Sequence, residues 1–256
     1  FNVQGLLAGV SGQIDQSWAL AALTEGDATL GQLMYQSAYA ISIPAPPPSP
    51  LFASAPPVIQ KTFLFPYIQG LSFVMSLWDR SGSWQDVNYS YASPPLSTEQ
   101  ILHPEKYLAG EPPIEVVIPE LLPALGPGWE EILDGVAGEF LLAVYLDGVL
   151  ATPLAQEAAT GWGGDRFILY RNEKGQRALV LLTEWDTIAE ANEFFDSYQR
   201  FTEAMAWEQR GDELYSSYWG KPGRWIYLHR AEDRVRVVIA PSPQVAASLT
   251  YPLPES

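Results

Sequence analysis

From Arg166 to the C-terminus, short apolar runs alternate with charged or glycine-bearing turns, and this succession leaves few architectures open. Phe167-Ile168-Leu169-Tyr170 sits between arginines and leads into Asn172-Glu173-Lys174-Gly175, a turn sequence. Residues 177–185 form a second apolar run, so the two read as a β-hairpin. Asp186 or Thr187 stands where an N-cap belongs. Ala189, Ala191, Phe194, Phe195, Tyr198 and Phe201 then supply the apolar stripe of a helix reaching about Glu208. Residues 224–229 and 234–239 make a second hairpin around Ala231-Glu232-Asp233, and a short helix over 243–249 closes the pattern. Hairpin, helix, hairpin, helix predicts an α+β fold, an antiparallel sheet with helices on one face. No repeat of fixed period is present.

The N-terminal part reads as helical. Over 16–42, Trp18, Leu20, Leu23, Leu30, Leu33 and Met34 fall mostly at three- and four-residue spacings, although Gly26 and Gly31 interrupt the helix they predict. Residues 43–57 hold seven prolines, at 44, 46, 47, 48, 50, 56 and 57. Proline cannot donate to a helix or sheet ladder, so this stretch reads as a polyproline-like surface arm. It serves either as a plain connector, the simpler reading, or as a docking arm. A helix over 61–78 follows, containing the longest apolar run (62–78, about 17 residues, broken by Pro66, Gln69 and Gly70). A spanning helix needs ~20 apolar residues, so a buried core helix is expected and no membrane span. Ser97 with Gln100 three residues on is a capping box for a short helix ending at His103-Pro104. Val116-Val117-Ile118 reads as a short strand, and 129–147 as a helix with acidic residues in its first turn. Residues 1–150 carry 3 basic and 15 acidic side chains, and residues 151–256 carry 11 and 15. That shift suggests two lobes: 1–150, mainly helical with the proline-rich arm at 43–57, and 151–256, α+β with the antiparallel sheet. Beginning at Phe1, the chain reads as processed or as a piece of something longer.

Composition excludes much chemistry. The 256 residues carry a net charge of −16 with a pI near 4.4, which argues against nucleic acid and against an anionic membrane surface. Zero cysteines remove thiol nucleophiles, thiolate metal sites and disulfides. The two histidines, His103 and His229, form no H-E-x-x-H, and no calcium loop, G-x-S-x-G elbow or phosphate-binding glycine loop occurs. Gly161-Trp162-Gly163-Gly164 lacks G-x-G-x-x-G spacing and precedes a strand. Paired acids such as Glu130-Glu131, Asp212-Glu213 and Glu232-Asp233 read as solvated faces and turns. No catalytic residue and no cofactor is therefore assigned. Two clusters stand out. In 22–30, Glu25 and Asp27 interrupt small and apolar residues, where a buried carboxylate needs a partner or a metal. In 161–166, Trp162, Asp165 and Arg166 are binding candidates beside glycines that permit close backbone approach; a tight loop feeding a strand is the simpler reading.

These clusters carry a resemblance. The run 22–30 resembles the A-L-x-E-G-D-A-T segment of bacterial extracytoplasmic proteins related to gluzincin zinc peptidases. Residues 97–107 resemble their S-T-E-Q-x-L-H-P-x-K-Y segment, and 162–166 their W-G-G-D-R segment, so the similarity covers roughly 16–186. In members with peptidase signatures an H-E-x-x-H helix lies just upstream of E-G-D. Its histidines and the E-G-D glutamate hold zinc, and the intervening glutamate is the base. Only Glu25 carries over here, as a metal ligand if a histidine pair precedes Phe1. The general character is also similar to an extracytoplasmic accessory subunit of alternative complex III, the quinol-oxidising complex of filamentous anoxygenic phototrophs.

The resemblance implies a non-catalytic, peptidase-like protein outside the cytoplasmic membrane and peripheral to it. It would be an accessory or docking subunit of a membrane-bound assembly, an electron-transport complex on the second likeness. Its partners would be the other subunits and a basic electron-carrier protein, which an acidic surface steers. The alternatives are a zinc metallopeptidase domain whose H-E-x-x-H helix lies upstream, and a soluble ligand-binding module with Trp162 among its stacking platforms.

Overall fold

The structure is a computed structural model, and it describes residues 14–44, 47, 49–205, 207–213 and 216–250. The start at Phe1-Asn2-Val3-Gln4, and Pro46 and Pro48 of the arm, lie outside the described residues. The chain divides into two compact units, with the break between Pro112 and Pro113.

The helical unit contains α1 (Ile14–Ala38), α2 (Pro50–Ala53), α3 (Pro57–Ser81), α4 (Gln85–Ala92), α5 (Thr98–Leu102) and α6 (Pro104–Ala109). Gly26 and Gly31 do not break α1. Gly26 instead lets α1 meet α3 backbone to backbone, since a Cβ there would stand 2.1 Å from the Gly70 carbonyl oxygen. Ala22, Leu23, Phe73, Val74 and Leu77 fill the interior around this crossing. The expected core helix is α3, yet only one of its sides is buried; Leu64, Ile68 and Met75 face solvent. The proline arm is also shorter than expected. Pro50 and Pro57 each occupy the first turn of a helix, where the missing N–H costs nothing, so the second half of the arm is α2 and the start of α3.

The capping box at Ser97 is present in altered form. Ser97 Oγ accepts from the Gln100 N–H at 3.2 Å, while Gln100 Oε1 reaches one residue further back, to the Leu96 N–H at 2.7 Å. Asp15 adds a second cap from another helix, accepting from the Thr98 N–H at 3.0 Å and the Thr98 hydroxyl at 2.5 Å. His103 closes α5, and Pro104 opens α6.

The sheet-bearing unit is α+β. It contains α7 (Leu122–Leu125), β1 (Trp129–Gly135), α8 (Gly138–Asp147), α9 (Thr152–Ala159), β2 (Trp162–Asn172), β3 (Arg177–Trp185), α10 (Ile188–Ala204), β4 (Glu208–Glu213), β5 (Ser216–Lys221), β6 (Arg224–Ala231), β7 (Arg234–Ala240) and α11 (Pro243–Thr250). The seven strands form one antiparallel sheet in the order β1-β2-β3-β7-β6-β5-β4. Both expected hairpins are there, and Thr187 is the N-cap of α10, its hydroxyl accepting from the Glu190 N–H.

Five expectations need correction. The helices do not lie on one face. Leu181, Trp185, Leu228 and Val237 point to the side covered by α8, α9 and α10, while Val180, Tyr227, Val238 and Ala240 point to the side covered by α11 and Leu121. Cover on both faces explains why the strands read as unbroken apolar runs rather than alternating ones. The expected helix over 129–147 is β1 followed by α8; its acids face arginines on β2, as in the Glu130–Arg171 pair at 2.6 Å, rather than a helix dipole. Because β1 pairs along β2, the boundary expected at 150 falls instead at Pro112. The segment 116–118 forms no strand; Pro113 and Pro119 flank it, and its neighbour Ile114 bonds to Gly163 O at 2.8 Å. Finally, α10 ends at Ala204 and the β4–β5 hairpin follows, extending the sheet.

Candidate functional site

The segment 162–166 is folded into its own unit. Trp162 is fully buried, and its indole N–H donates to Asp165 Oδ1 at 2.9 Å. Asp165, 2% exposed, also accepts from the Ala137 N–H at 2.9 Å and the Gly138 N–H at 2.8 Å, which begin α8. Burial pushes its carboxyl up to about 6, against the pull of those three donors. Arg166 grips Asp134 with two parallel bonds, Nε to Oδ1 at 2.9 Å and Nη2 to Oδ2 at 2.5 Å. The glycines are spacers: a Cβ on Gly164 would lie 2.2 Å from the Ile114 carbonyl oxygen. Trp162 and Asp165 are thus joined while Arg166 pairs with Asp134 instead, and the polar atoms of all three are spent on β1, β2 and the start of α8.

The segment 97–107 is likewise occupied internally. Lys106 pairs with the buried Glu99 at 2.6 Å and with Glu111 at 3.0 Å, Gln100 Nε2 donates to Glu111 O at 2.6 Å, and the Tyr107 hydroxyl donates to Ser93 O at 2.8 Å. Two of the three resemblance motifs therefore carry packing chemistry in this chain.

The third differs. Glu25 is half-buried on α1, and the Tyr67 hydroxyl of α3 hydrogen-bonds to it; burial and this carboxylate raise the phenol above its ordinary range. Two residues on, Asp27 accepts from the Tyr91 hydroxyl at 2.7 Å, and burial with that bond raises Tyr91 as well. Both carboxylates thus meet phenols, neutral donors that satisfy an acceptor without cancelling its charge. A catalytic zinc site needs three protein ligands. Among the described residues no cluster of three metal-capable side chains includes Glu25. His103 lies at the α5–α6 junction with Nδ1 3.6 Å from Glu105, and His229 bonds Ser216 Oγ at 2.8 Å from β6 in the other unit. Among the described residues Glu25 therefore belongs to no three-ligand zinc site, and it supplies one ligand of such a site at most.

Two grooves on the sheet were not legible in the sequence. One, of about 210 Å³, runs between α11 and strands β4 to β6 and is lined by Tyr218, Trp225, Tyr227 and Arg210. The Tyr218 and Tyr227 rings lie 4.9 Å apart across the strands, and Trp225 lies over Gly220, which has no side chain in its way. The other, of about 230 Å³, gathers Arg234, Arg236, His229, Glu184 and Glu115. Strand pairing creates both: Arg236 sits opposite Leu182 and His229, residues remote in sequence. Tyr67 and Tyr91 were missed for a similar reason, since nothing near them in sequence marks them as partners of α1.

Residues 130–250 match the family model DUF8575, described as a domain of unknown function. The matched segment runs from β1 to the end of α11, within the sheet-bearing unit. No curated protein matches the chain, and no solved structure matches it.

Proposed function

We propose that this chain is a non-catalytic, peptidase-like protein of the extracytoplasmic side, peripheral to the membrane, serving as an accessory or docking subunit of a membrane-bound assembly. The observation that carries the reading is the exposed apolar side of α3, where Leu64, Ile68 and Met75 face solvent opposite the buried side. Contiguous exposed apolar surface of this kind marks interaction sites. No helix among the described residues is long and apolar enough to cross a membrane. Internal use of Trp162, Asp165 and Arg166 favours a structural role for that motif over ligand capture. A quinol-oxidising electron-transport complex is the assembly the resemblance suggests. Its test is purification from native membranes in mild detergent: co-migration with other subunits is expected, and a chain that always runs alone at 28.3 kDa defeats the reading.

One observation favours a second reading, a zinc peptidase whose histidine pair is supplied by a preceding segment. Glu25 is held by a phenol rather than by a cation, which leaves its negative charge available to a metal. Reading the gene upstream of Phe1 and measuring zinc in the native protein test it. No H-E-x-x-H within about 40 codons, or no zinc bound, removes it.

A further inference from the structure

We propose that the groove floored by Arg236 in the sheet-bearing unit binds a small organic carboxylate with a short apolar chain. The groove has a volume of about 230 Å³; strands β3, β7 and β6 line it, and Val116 and Val117 add a wall. Along β7, Arg234, Arg236, Val238 and Ala240 point to one face of the sheet. Val238 and Ala240 share an apolar cluster with Ala246 and Leu249 of α11. At Arg236 that face turns polar, on a central strand. Strand register sets Arg236 between Leu182 of β3 and His229 of β6, and Arg234 between Glu184 and Ala231. Arg236 is 8% exposed. A charge so deep is costly unless acceptors meet it. Its Nη1 donates to the Thr250 carbonyl oxygen at 3.2 Å, a bond that orients the guanidinium without cancelling its charge.

The two acids that line the groove are engaged elsewhere. Glu184 pairs with Arg234 at 2.8 Å, while Glu115 is exposed and its charge acts on Arg166. Arg236 and the His229 imidazole face the groove from adjacent strands. A guanidinium fork fits a carboxylate through two parallel bonds. The net charge of −16 repels any anion at a distance, so long-range attraction supplies no affinity. Apolar contact does: Leu182, Val116 and Val117 stand beside the charged groups, and every methylene buried against them adds to binding. An inorganic anion has no such part. The volume falls below the ~300–1,000 Å³ of drug-sized sites and suits a molecule of hexanoate's size.

The test is titration of the full chain with hexanoate, followed by amide NMR. Saturable shifts are expected at Val117, His229 and Arg236, and inorganic phosphate should bind about tenfold more weakly. Val117, 66% exposed on the wall of the groove, tests the sign of the charge without disturbing the sheet. Val117→Glu should weaken hexanoate binding about fivefold, and Val117→Lys should bind at least as tightly as the parent. Arg236→Gln should abolish the shifts; if that variant fails to fold, the Val117 pair decides. No saturable shift, shifts confined to the other groove at Tyr218 and Trp225, phosphate binding as tightly as hexanoate, or equal binding by the two Val117 variants overturns the proposal. None of these outcomes bears on the subunit reading, which rests on the helical unit.

Discussion

A carboxylate sealed from water persists only when donors surround it, and Asp165 has three. Its carboxyl nonetheless rises to about 6, because burial outweighs them. An unfolded Asp titrates near ~3.9. The folded chain therefore binds more protons than the unfolded one between pH about 4 and 6, so this group's contribution is fully present below the lower value and lost as pH rises through the upper. The gap corresponds to about 3 kcal/mol. Urea unfolding at pH 4 and at pH 6.5 should show stability falling across that window, and Asp165→Asn should flatten the fall while costing about 1–2 kcal/mol through the lost second acceptor. An unchanged slope in the variant would mean that another group titrates there. That 162–166 gathers chemistry-bearing side chains was legible in the sequence, and Trp162 and Asp165 do meet. What they hold was not, because their partners Asp134, Ala137 and Gly138 reach them through the pairing of β1 with β2 and the docking of α8.

Among the elements, α1 offers a paired test of local propensity against packing. Glycine in a helix interior costs roughly 0.5–1 kcal/mol relative to alanine. Gly31 has open space around its Cβ position, so Gly31→Ala should raise stability by about that amount. Gly26→Ala should do the reverse and lose about 2–4 kcal/mol, since the new methyl meets the Gly70 carbonyl with no flexible side chain to move aside. Chemical denaturation of the two variants should displace the midpoint in opposite directions; a stable Gly26→Ala would show that the α1–α3 crossing tolerates separation. Thr187→Ala should cost about 1 kcal/mol by uncapping α10, read as a lower melting temperature. The caps at Ser97 and Thr187, the two hairpins and the stripe of α10 were all readable from the chain because each is set by near neighbours. The β4–β5 hairpin was not. Glu208-Gln209-Arg210-Gly211 has neither alternation nor an apolar run, as suits a polar strand at the edge of a sheet. The segment 129–147 misled for the opposite reason, since its acids suit a helix start and a cross-strand arginine equally well.

At the scale of the whole molecule the net charge of −16 opposes compaction. Salt screens that repulsion, with a Debye length falling from ~30 Å at 0.01 M to ~3 Å at 1 M. Raising sodium chloride between those limits should lift the melting temperature by a few degrees; a decrease would mean that specific ion pairs such as Arg166–Asp134 outweigh the general field. The chain by itself determined the acidity, the absence of thiol chemistry, the order of most elements and the α+β class, because these follow from composition and from spacings of two to four residues. Tertiary structure alone decided that the sheet is covered on both faces, that the division falls at Pro112, and that the most distinctive motif bonds to its own unit. The physical reason is that burial, and with it a carboxylate's charge state or a helix face's need for a partner, depends on what the fold brings alongside, which no local pattern specifies.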